Sequence, residues 1–182
     1  LARMQERIEM KIIGIVGWSG SGKTTLMKQL LPELIKRDFR VSTMKHAHHN
    51  FEIDKPGKDS HIHRKAGAHE VLITSSQRWT ILHENRDVAE PSIDYLLTRL
   101  EKVDMVLIEG FKEHSHAKVE VHRSTLGKPL LARDDPSIVA VAADSSIILD
   151  GATLLDLNNI KEIADFIVHH FGFVSQVGNG TA

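Results

Sequence analysis

Short apolar runs and amphipathic segments alternate along most of the chain. The apolar runs have the length of strands that are buried on both faces of a sheet, and they occupy residues 11–16, 40–45, 69–74, 104–108 and 138–142. Amphipathic segments, with apolar residues every three or four positions, predict helices at 24–37, 91–100 and 159–171, and a capped short helix is predicted at 59–66. This alternation indicates an α/β fold whose sheet is mostly parallel and flanked by helices.

Two further segments predict antiparallel pairing. Residues 117–122 alternate valine with polar residues, which is typical of a half-exposed antiparallel strand. Residues 78–82 predict a partner for the strand at 69–74, or an edge strand. Since an open edge invites aggregation, both segments are expected to pair, and pairing them across a two-fold axis predicts a homodimer. The alternative is an antiparallel extension of the sheet within one chain.

Length and composition indicate one globular domain. The chain has 182 residues, 41% of them hydrophobic and 26% charged, which are ordinary proportions for such a domain. We expect the domain to span residues 11–174, after a disordered extension or scar at 1–10 and before a flexible tail at 175–182. No run of 18 apolar residues and no export signal is present in the sequence, so the chain is expected not to enter a membrane and to be cytoplasmic.

Charge and residue usage exclude several classes of site. Lysine and arginine number 23 against 24 aspartates and glutamates, giving a net charge of −1 without a basic block, so nucleic acid is not an expected partner. Cysteine is absent, which excludes disulfides, thiolate metal sites and cysteine nucleophiles. The twelve histidines are the one unusual feature of the composition.

A phosphate-binding loop follows the first predicted strand. Residues 17–24 read Gly-Trp-Ser-Gly-Ser-Gly-Lys-Thr and match G-x-x-x-x-G-K-[ST] between a strand and a helix. Glycines let backbone N–H groups turn towards phosphate oxygens, the lysine reaches the β- and γ-phosphates, and the threonine hydroxyl binds Mg²⁺. The fold is therefore predicted to be that of P-loop NTPases, and the nucleotide-binding residues of the loop to be Gly17, Ser19, Gly20, Ser21, Gly22, Lys23, Thr24 and Thr25.

Glu109 is the predicted second acid of the site. Nucleotide chemistry takes place at the carboxyl ends of the strands in an open α/β sheet. Glu109 ends the run at 104–108, whereas Asp104 begins it. We therefore expect Glu109 to bind Mg²⁺ or to orient water, which would make it catalytic together with Lys23; the alternative is an ordinary surface carboxylate.

A histidine-rich segment follows the second predicted strand. It holds His46, His48, His49, His61 and His63, but without cysteine or a rigidly spaced histidine pair it is predicted to be a nucleotide-sensing switch loop rather than a metal site. Asp54 in the same loop is a candidate ligand of Mg²⁺ and of the nucleotide. A loop carboxylate without that role is the alternative.

Several motifs in the same order resemble the molybdopterin-guanine dinucleotide biosynthesis protein B family. They are GWSGSGKTTL, MKHAHHNFEIDKPGKDS, HRKAGA, SSQRW and LIEGFK, and the resemblance covers nearly all of residues 11–171. It implies a GTP-binding P-loop homodimer with weak GTPase activity. It also implies an adaptor role for a partner guanylyltransferase, the enzyme that attaches GMP to molybdopterin.

Recognition of the base is the least defined part of the site. The N/T-K-x-D motif of many guanine-specific proteins is absent from the sequence. Asp144, directly after the strand at 138–142, takes a comparable place and is a candidate for reading guanine; capping a loop is its alternative role. Gln77 and Arg78 follow the strand at 69–74 and are candidate ligand contacts, although an arginine at a strand edge is often only solvated.

Two other functions fit parts of the sequence. A small-molecule kinase would share the P-loop and the chain length, but a kinase lid usually carries clustered arginines, and those after residue 60 are scattered. A metallochaperone GTPase would account for the histidines, but not for the missing cysteines. The resemblance over nearly the whole chain therefore favours the adaptor.

Overall fold

The computed structural model describes residues 9–47 and 51–173. Its strands are β1 (Lys11–Val16), β2 (Val41–Lys45), β3 (Glu70–Thr74), β4 (Trp79–His83), β5 (Met105–Glu109), β6 (Lys118–His122), β7 (Ile138–Ala143) and β8 (Thr153–Asp156). Its α-helices are α1 (Lys23–Lys36), α2 (Asp59–Lys65), α3 (Ile93–Thr98) and α4 (Ile160–His170). Two short 3₁₀ helices span Ser124–Leu126 and Leu131–Arg133. No helix in the described part of the chain is long and apolar enough to cross a membrane.

The chain forms two compact units. The larger unit comprises Leu1–His46 and Glu101–Ala182, and the smaller unit comprises Ala47–Leu100. The larger unit is built on a six-stranded sheet in the order β2-β5-β1-β6-β7-β8. All of its neighbouring strands pair in parallel. Their carboxyl ends therefore lie along one edge of the sheet, which is where the P-loop follows β1.

Apolar residues cover both faces of this sheet. On one face Ile13 and Ile15 of β1 pack with the apolar sides of α1 and α4, in a cluster whose residues are almost fully buried. Val16 and Val141 belong to the second cluster, which they form with residues around the Leu131–Arg133 turn. Since alternate residues of a strand point to opposite faces, the two clusters flank the sheet and fix the strand ends.

The expected edge strand at 117–122 is in fact a central strand. β6 lies between β1 and β7 and is parallel to both, so the prediction of a half-exposed antiparallel strand there is wrong. Two of its polar side chains are buried together with their partners: Lys118 Nζ donates to Asp135 Oδ2 at 2.9 Å, and Glu120 accepts from the backbone N–H groups of Leu131 and Ala132, both at 2.9 Å. A homodimer through this strand is therefore also wrong.

The smaller unit contains the antiparallel part of the fold. β3 and β4 form a two-stranded hairpin, with Leu72 opposite Ile81, which confirms the predicted partner strand. Arg86 ties the hairpin's outgoing segment to the end of α2, because its guanidinium donates to the carbonyls of Arg64, Gly67 and Ala68 at 3.0, 2.7 and 3.0 Å. The fold prediction, a mostly parallel sheet with an antiparallel extension, is confirmed, but β8 was missed.

Candidate nucleotide site

The backbone of the P-loop requires glycine. Gly17, Gly20 and Gly22 have φ values of +146°, +79° and +99°, which disfavour any side chain. A Cβ on Gly17 would lie 2.5 Å from the carbonyl oxygen of Val121 and 2.7 Å from Ser21 Oγ. The close approach of β6 to the loop therefore leaves room for glycine alone at position 17, and α1 begins directly after Gly22.

Lys23 lies across the start of the loop. Its Nζ donates to the carbonyl oxygens of Gly17 and Trp18, at 3.1 and 3.0 Å. Partial burial lowers the pKa of Lys23, an effect that Glu109 opposes and that Lys112 and Lys45 reinforce. The ammonium is thus held beside the loop with its charge poorly solvated, so that phosphate oxygens would be favourable partners for it.

Thr24 and Glu109 meet at the end of β5. They are the two predicted Mg²⁺ ligands of the larger unit. Thr24 Oγ1 donates to Glu109 Oε1 at 3.1 Å, and Lys45 Nζ lies 3.8 Å from the same oxygen. Asp104 lies at the opposite end of β5, where it accepts from the backbone N–H of Arg40 at 2.7 Å. A hydroxyl and a carboxylate beside a phosphate loop are the protein ligands that Mg²⁺ takes in such sites.

The residue after Glu109 brings the ends of β2 and β5 together. Gly110 has a φ of +103°, and a Cβ there would lie 2.9 Å from His46 Cβ. The backbone N–H of His46 donates to the carbonyl of Glu109 at 2.9 Å, and its ring stacks on Phe111 with 4.4 Å between centroids. His46 therefore has a structural role at the Glu109 end of the site, which its place among the histidines did not indicate.

Arg123 is a residue of the site that the sequence analysis missed. Its Nε donates to the carbonyl of Ser21 at 3.2 Å, and its Nε and one Nη lie 3.5 Å from where a Cβ on Gly22 would be. Arg123 comes directly after β6, and β6 pairs with the strand that leads into the P-loop. That position, at the carboxyl edge of the sheet, is the signal that would have identified it.

Asp144, the candidate reader of guanine, holds Arg123 in place. Its Oδ1 accepts from the backbone N–H of Ser124 at 2.9 Å, and its Oδ2 lies 3.6 Å from Nη1 of Arg123. The hydrogen bond from Ser124 is the main reason that the pKa of Asp144 is below its usual value, and Arg123 adds to the effect. Both carboxylate oxygens thus face groups of the loop after β6.

The residues of this loop fit a magnesium-bound nucleoside triphosphate. The glycine cradle excludes Cβ atoms, and Lys23, Thr24, Glu109 and Arg123 supply charged and polar groups around it. Ser21 is only 1% exposed, and its hydroxyl has no hydrogen-bond partner in the described part of the chain. A buried hydroxyl without a partner is unfavourable, so a ligand that satisfied it would gain affinity.

The other candidate residues belong to the smaller unit. Asp54 is buried and accepts from Nη2 and Nε of Arg64, with Nη2–Oδ1 and Nε–Oδ2 distances of 2.8 and 3.2 Å, and this hydrogen bonding lowers the pKa of Asp54. Gln77 and Arg78 lie in the β3–β4 turn, where their backbone N–H groups both donate to Ser75 Oγ at 3.3 Å. Ligand roles for these three residues stay predictions.

The remaining histidines form no metal cluster in the described chain. His48 and His49 lie outside the described residues. His61 Nδ1 is 3.8 Å from Asp54 Oδ2, and His63 lies in the last turn of α2. Residues 9–47 and 51–173 contain no group of three or more histidine or acidic side chains able to hold a metal ion.

Comparison with known proteins identifies the family. The family model for molybdopterin guanine dinucleotide synthesis protein B matches residues 12–144. The chain belongs to this family. The molybdopterin-guanine dinucleotide biosynthesis adapter protein of Haemophilus influenzae is 44% identical over 168 residues, which cover 90% of this chain and 92% of that one. Its counterpart in Escherichia coli K12 is 40% identical over 168 residues, with 91% and 95% covered.

Solved structures of the family have the same fold. A crystal structure of molybdopterin-guanine biosynthesis protein B matches with a TM-score of 0.70 and 28% identity, over 87% of this chain and 99% of that one. The MobB homologue from Bacillus stearothermophilus matches with a TM-score of 0.62 at 22% identity, over 88% and 97% of the two chains, and so supports the fold alone. The family and the fold class predicted from the motifs are thereby confirmed.

Proposed function

We propose that this protein is a GTP- and Mg²⁺-binding adapter for the guanylyltransferase that converts molybdopterin into molybdopterin guanine dinucleotide. Its relatives at 40% and 44% identity are named adapter proteins of this biosynthesis. The observation that carries the nucleotide part is the contact between Thr24 and Glu109 beside the glycine loop. We keep small-molecule kinase and metallochaperone as the alternatives that the experiments below would reveal.

In the proposed complex each residue of the loop has a separate task. Lys23 exchanges its two carbonyl partners for β- and γ-phosphate oxygens, and the N-terminus of α1 faces the phosphates with its partial positive charge. Thr24 and Glu109 hold Mg²⁺, which neutralises phosphate charge when it is bound. Arg123 adds a cation on the side of the loop that faces β6.

Weak hydrolysis follows from the surroundings of Glu109. Its Oε1 accepts from Thr24 and lies near the ammonium of Lys45, an arrangement that suits holding a metal better than taking a proton from water. We therefore expect slow, Mg²⁺-dependent GTP hydrolysis. Such a chain would act mainly by presenting a bound nucleotide or a bound conformation to its partner enzyme.

Glu109→Gln tests the role of the carboxylate. The variant keeps the shape of the side chain but loses its charge, so Mg²⁺ should be held less firmly and hydrolysis at saturating GTP and Mg²⁺ should fall by about tenfold or more, while GTP affinity, to which Lys23 and the loop also contribute, changes less. Single-turnover hydrolysis and calorimetric binding measure the two quantities. Glu113→Gln is a control because Glu113 lies in the exposed turn after β5; equal hydrolysis by Glu109→Gln and the parent would contradict the proposal.

Assembly and location complete the proposal. Of the two segments that the sequence offers for a homodimer, β6 is excluded and the hairpin of the smaller unit remains. It exposes Trp79 and Leu72 (66% and 60%) together with Ile73 and Ile81. Pairing of β4 across a two-fold axis would cover such side chains. Sedimentation of the parent as a monomer at micromolar concentration would contradict the dimer.

A cytoplasmic location stays a prediction.

The adapter function is tested with the partner enzyme present. Calorimetry with GTP and ATP, each with and without Mg²⁺, should show GTP binding that is tighter with the metal than without it. Adding the chain to the guanylyltransferase should raise formation of molybdopterin guanine dinucleotide, and the Lys23→Ala variant should not. ATP binding with phosphorylation of a small molecule would favour a kinase, and tight Zn²⁺ or Ni²⁺ binding without stimulation would favour a metallochaperone.

A further inference from the structure

Two successive residues with a left-handed backbone follow β5, and the second of them is not glycine. Gly110 has a φ of +103° and Phe111 has a φ of +51°. A bulky side chain is uncommon in this region of φ, and such residues gather at functional sites, where the surrounding structure holds them in place. The turn directly after Glu109 is thus strained, and the residue that it leads to is Lys112.

The side chain of Phe111 holds this turn in place. It is only 7% exposed, and its ring packs on two imidazoles, with centroid distances of 4.4 Å to His46 and 5.2 Å to His114. The backbone N–H of His114 also donates to the carbonyl of Phe111 at 3.3 Å. These contacts fix the backbone that carries Lys112, although the side chain of Lys112 is itself exposed.

Lys112 lies over the second residue of the P-loop. Its Nζ is 5.2 Å from the centre of the Trp18 ring, a distance at which an aromatic face attracts an ammonium. Lys23 donates to the carbonyls of Trp18 and of the preceding Gly17, so both lysines contact the beginning of the loop. A ring attracts a cation without neutralising it, which leaves the charge of Lys112 available to an anion.

Positive charge is in excess around Lys23. Burial is the main reason that the pKa of Lys23 is lowered; Glu109 opposes this effect, and the ammoniums of Lys112 and Lys45 add to it. Lys112 is therefore close enough to Lys23 for the two charges to repel each other. Three ammoniums face one carboxylate here, and a ligand with several negative charges would relieve their repulsion.

Lys128 provides a comparison within the same site. Its Nζ lies 5.6 Å from the centre of the Trp18 ring, nearly as close as that of Lys112, and its side chain is exposed as well. Among the described residues, however, the cations that lower the pKa of Lys23 are Lys112 and Lys45, and Lys128 is not one of them. The two lysines share the aromatic contact, but Lys112 alone is also near Lys23.

We propose that Lys112 distinguishes nucleoside triphosphates from diphosphates by donating to the γ-phosphate beside Lys23. This inference rests on the proposed function, because it assigns a further contact to the same nucleotide. In P-loop proteins the loop lysine reaches the β- and γ-phosphates, and a second ammonium next to it is a favourable partner for the terminal phosphate. A nucleoside diphosphate lacks the group that Lys112 binds, so the chain holds it less tightly than the triphosphate.

The experiment compares the two classes of nucleotide by titration calorimetry on the full chain with Mg²⁺. Lys112→Gln should lower the affinity for a non-hydrolysable GTP analogue about tenfold, the loss expected for a charge-assisted hydrogen bond, and should leave the affinity for GDP unchanged. Lys112→Arg keeps the charge and should restore most of the preference for the triphosphate. Lys128→Gln is the matched control and should change neither affinity.

Two results would overturn the role of Lys112 while the proposed function stands. One is an equal loss of affinity for the GTP analogue and for GDP in Lys112→Gln, which would indicate support of the loop rather than contact with the γ-phosphate. The other is an equal loss in Lys112→Gln and Lys128→Gln, which would indicate general charge attraction.

An ATP analogue and ADP are measured in parallel, because contact with a γ-phosphate does not depend on the base. If the parent binds adenine rather than guanine nucleotides, the guanine part of the proposed function fails, and the ratio of triphosphate to diphosphate affinity in Lys112→Gln still decides the role of Lys112. A parent that binds no nucleotide would overturn both proposals.

Discussion

The sheet of the larger unit and the hairpin of the smaller unit hold their polar groups in different ways. In the sheet, Glu120 is fully buried and bound by two backbone N–H groups. In the smaller unit the central polar group is Arg64, which pairs through its side chain with Asp54 and Glu84. Backbone partners move only if the fold moves, whereas side-chain partners can exchange.

The burial of apolar side chains differs in the same direction. Among the residues that the structure describes, only Val71, Ile93 and Leu97 are buried apolar side chains of the smaller unit, while the larger unit has two extensive clusters. Regions with few buried apolar contacts open at low free energy. The difference indicates a more rigid unit, which is the one proposed to bind phosphates, and a less stable unit that is suited to adapt to a ligand or partner.

The largest expected effect is on nucleotide binding by the larger unit. Lys23→Ala removes the ammonium that faces the phosphates, so GTP affinity should fall on the order of 100-fold. Thermal unfolding should change little, because the hydrogen bonds of the Lys23 ammonium within the described residues go to two carbonyls of its own loop. Calorimetry and circular dichroism measure these effects, and Lys28→Ala serves as the control. An unchanged GTP affinity in Lys23→Ala would contradict the proposal that the larger unit binds the phosphates.

The second prediction compares the two kinds of polar contact directly. Glu120→Ala leaves two N–H groups and a void in the interior and should lower the free energy of unfolding by about 2–4 kcal/mol. Glu84→Ala removes an ion pair of the smaller unit that is 37% exposed on the glutamate side, and should cost about 0.5 kcal/mol. Urea denaturation measures both. Similar losses would mean that the two units hold their polar groups equally firmly.

Acid should weaken the two units in different pH ranges. Burial, helped by the charge of Lys118, lowers the pKa of His116 from 6.5 to about 4. The unfolded chain therefore binds a proton between these values that the native chain does not, and the larger unit should lose stability as the pH falls from 6.5 to 4. Arg64 lowers the pKa of Asp54 below 3.8, so the stability from this pair is present above pH 3.8 and is lost below it.

The two tryptophans allow these ranges to be measured separately. Trp18 lies in the larger unit and Trp79 in the smaller one, so Trp79→Phe and Trp18→Phe each leave one fluorescent reporter. In the variant that keeps Trp18, His116→Gln should remove the loss of stability between pH 6.5 and 4. In the variant that keeps Trp79, Asp54→Asn should remove the loss of stability below pH 3.8. Loss of both signals together at one pH would show that the units unfold as one.

The smallest expected effect is that of Asp144→Asn. Since the carboxylate acts by holding Arg123, the variant should weaken GTP and ATP binding equally, by about two- to fivefold, as expected for a partly exposed ion pair. Arg123→Gln should have a larger effect of the same kind. A loss confined to GTP would instead restore the direct reading of guanine that the sequence analysis predicted.

Local patterns were sufficient to predict where the residues at the centre of the proposed site lie. The glycine spacing located the P-loop, and the end of the apolar run before Glu109 placed that carboxylate at the carboxyl edge, next to Thr24. Both depend on residues that are near in sequence and on the rule that parallel strands end at one edge. The same rule correctly removed Asp104.

Contacts between residues far apart in the sequence could not be predicted from local patterns. Lys118 and Glu120 gave β6 the pattern of an exposed strand, because their partners Asp135 and Leu131 come from a later loop. Arg123 was one of several scattered arginines until β6 was placed beside β1. β8 was missed because only Leu155 of its four residues is buried, so its pattern is that of a loop.

The pairing of β2 with β5 has a consequence for the architecture of the chain. Val41 lies opposite Met105 and Lys45 opposite Glu109, although the whole smaller unit separates these strands in sequence. Two parallel neighbours need a crossover of only about a dozen residues. The smaller unit is therefore far longer than the connection that this pairing needs, and a different module or a shorter crossover in its place would leave the strand pairing of the main sheet, the P-loop and Glu109 intact.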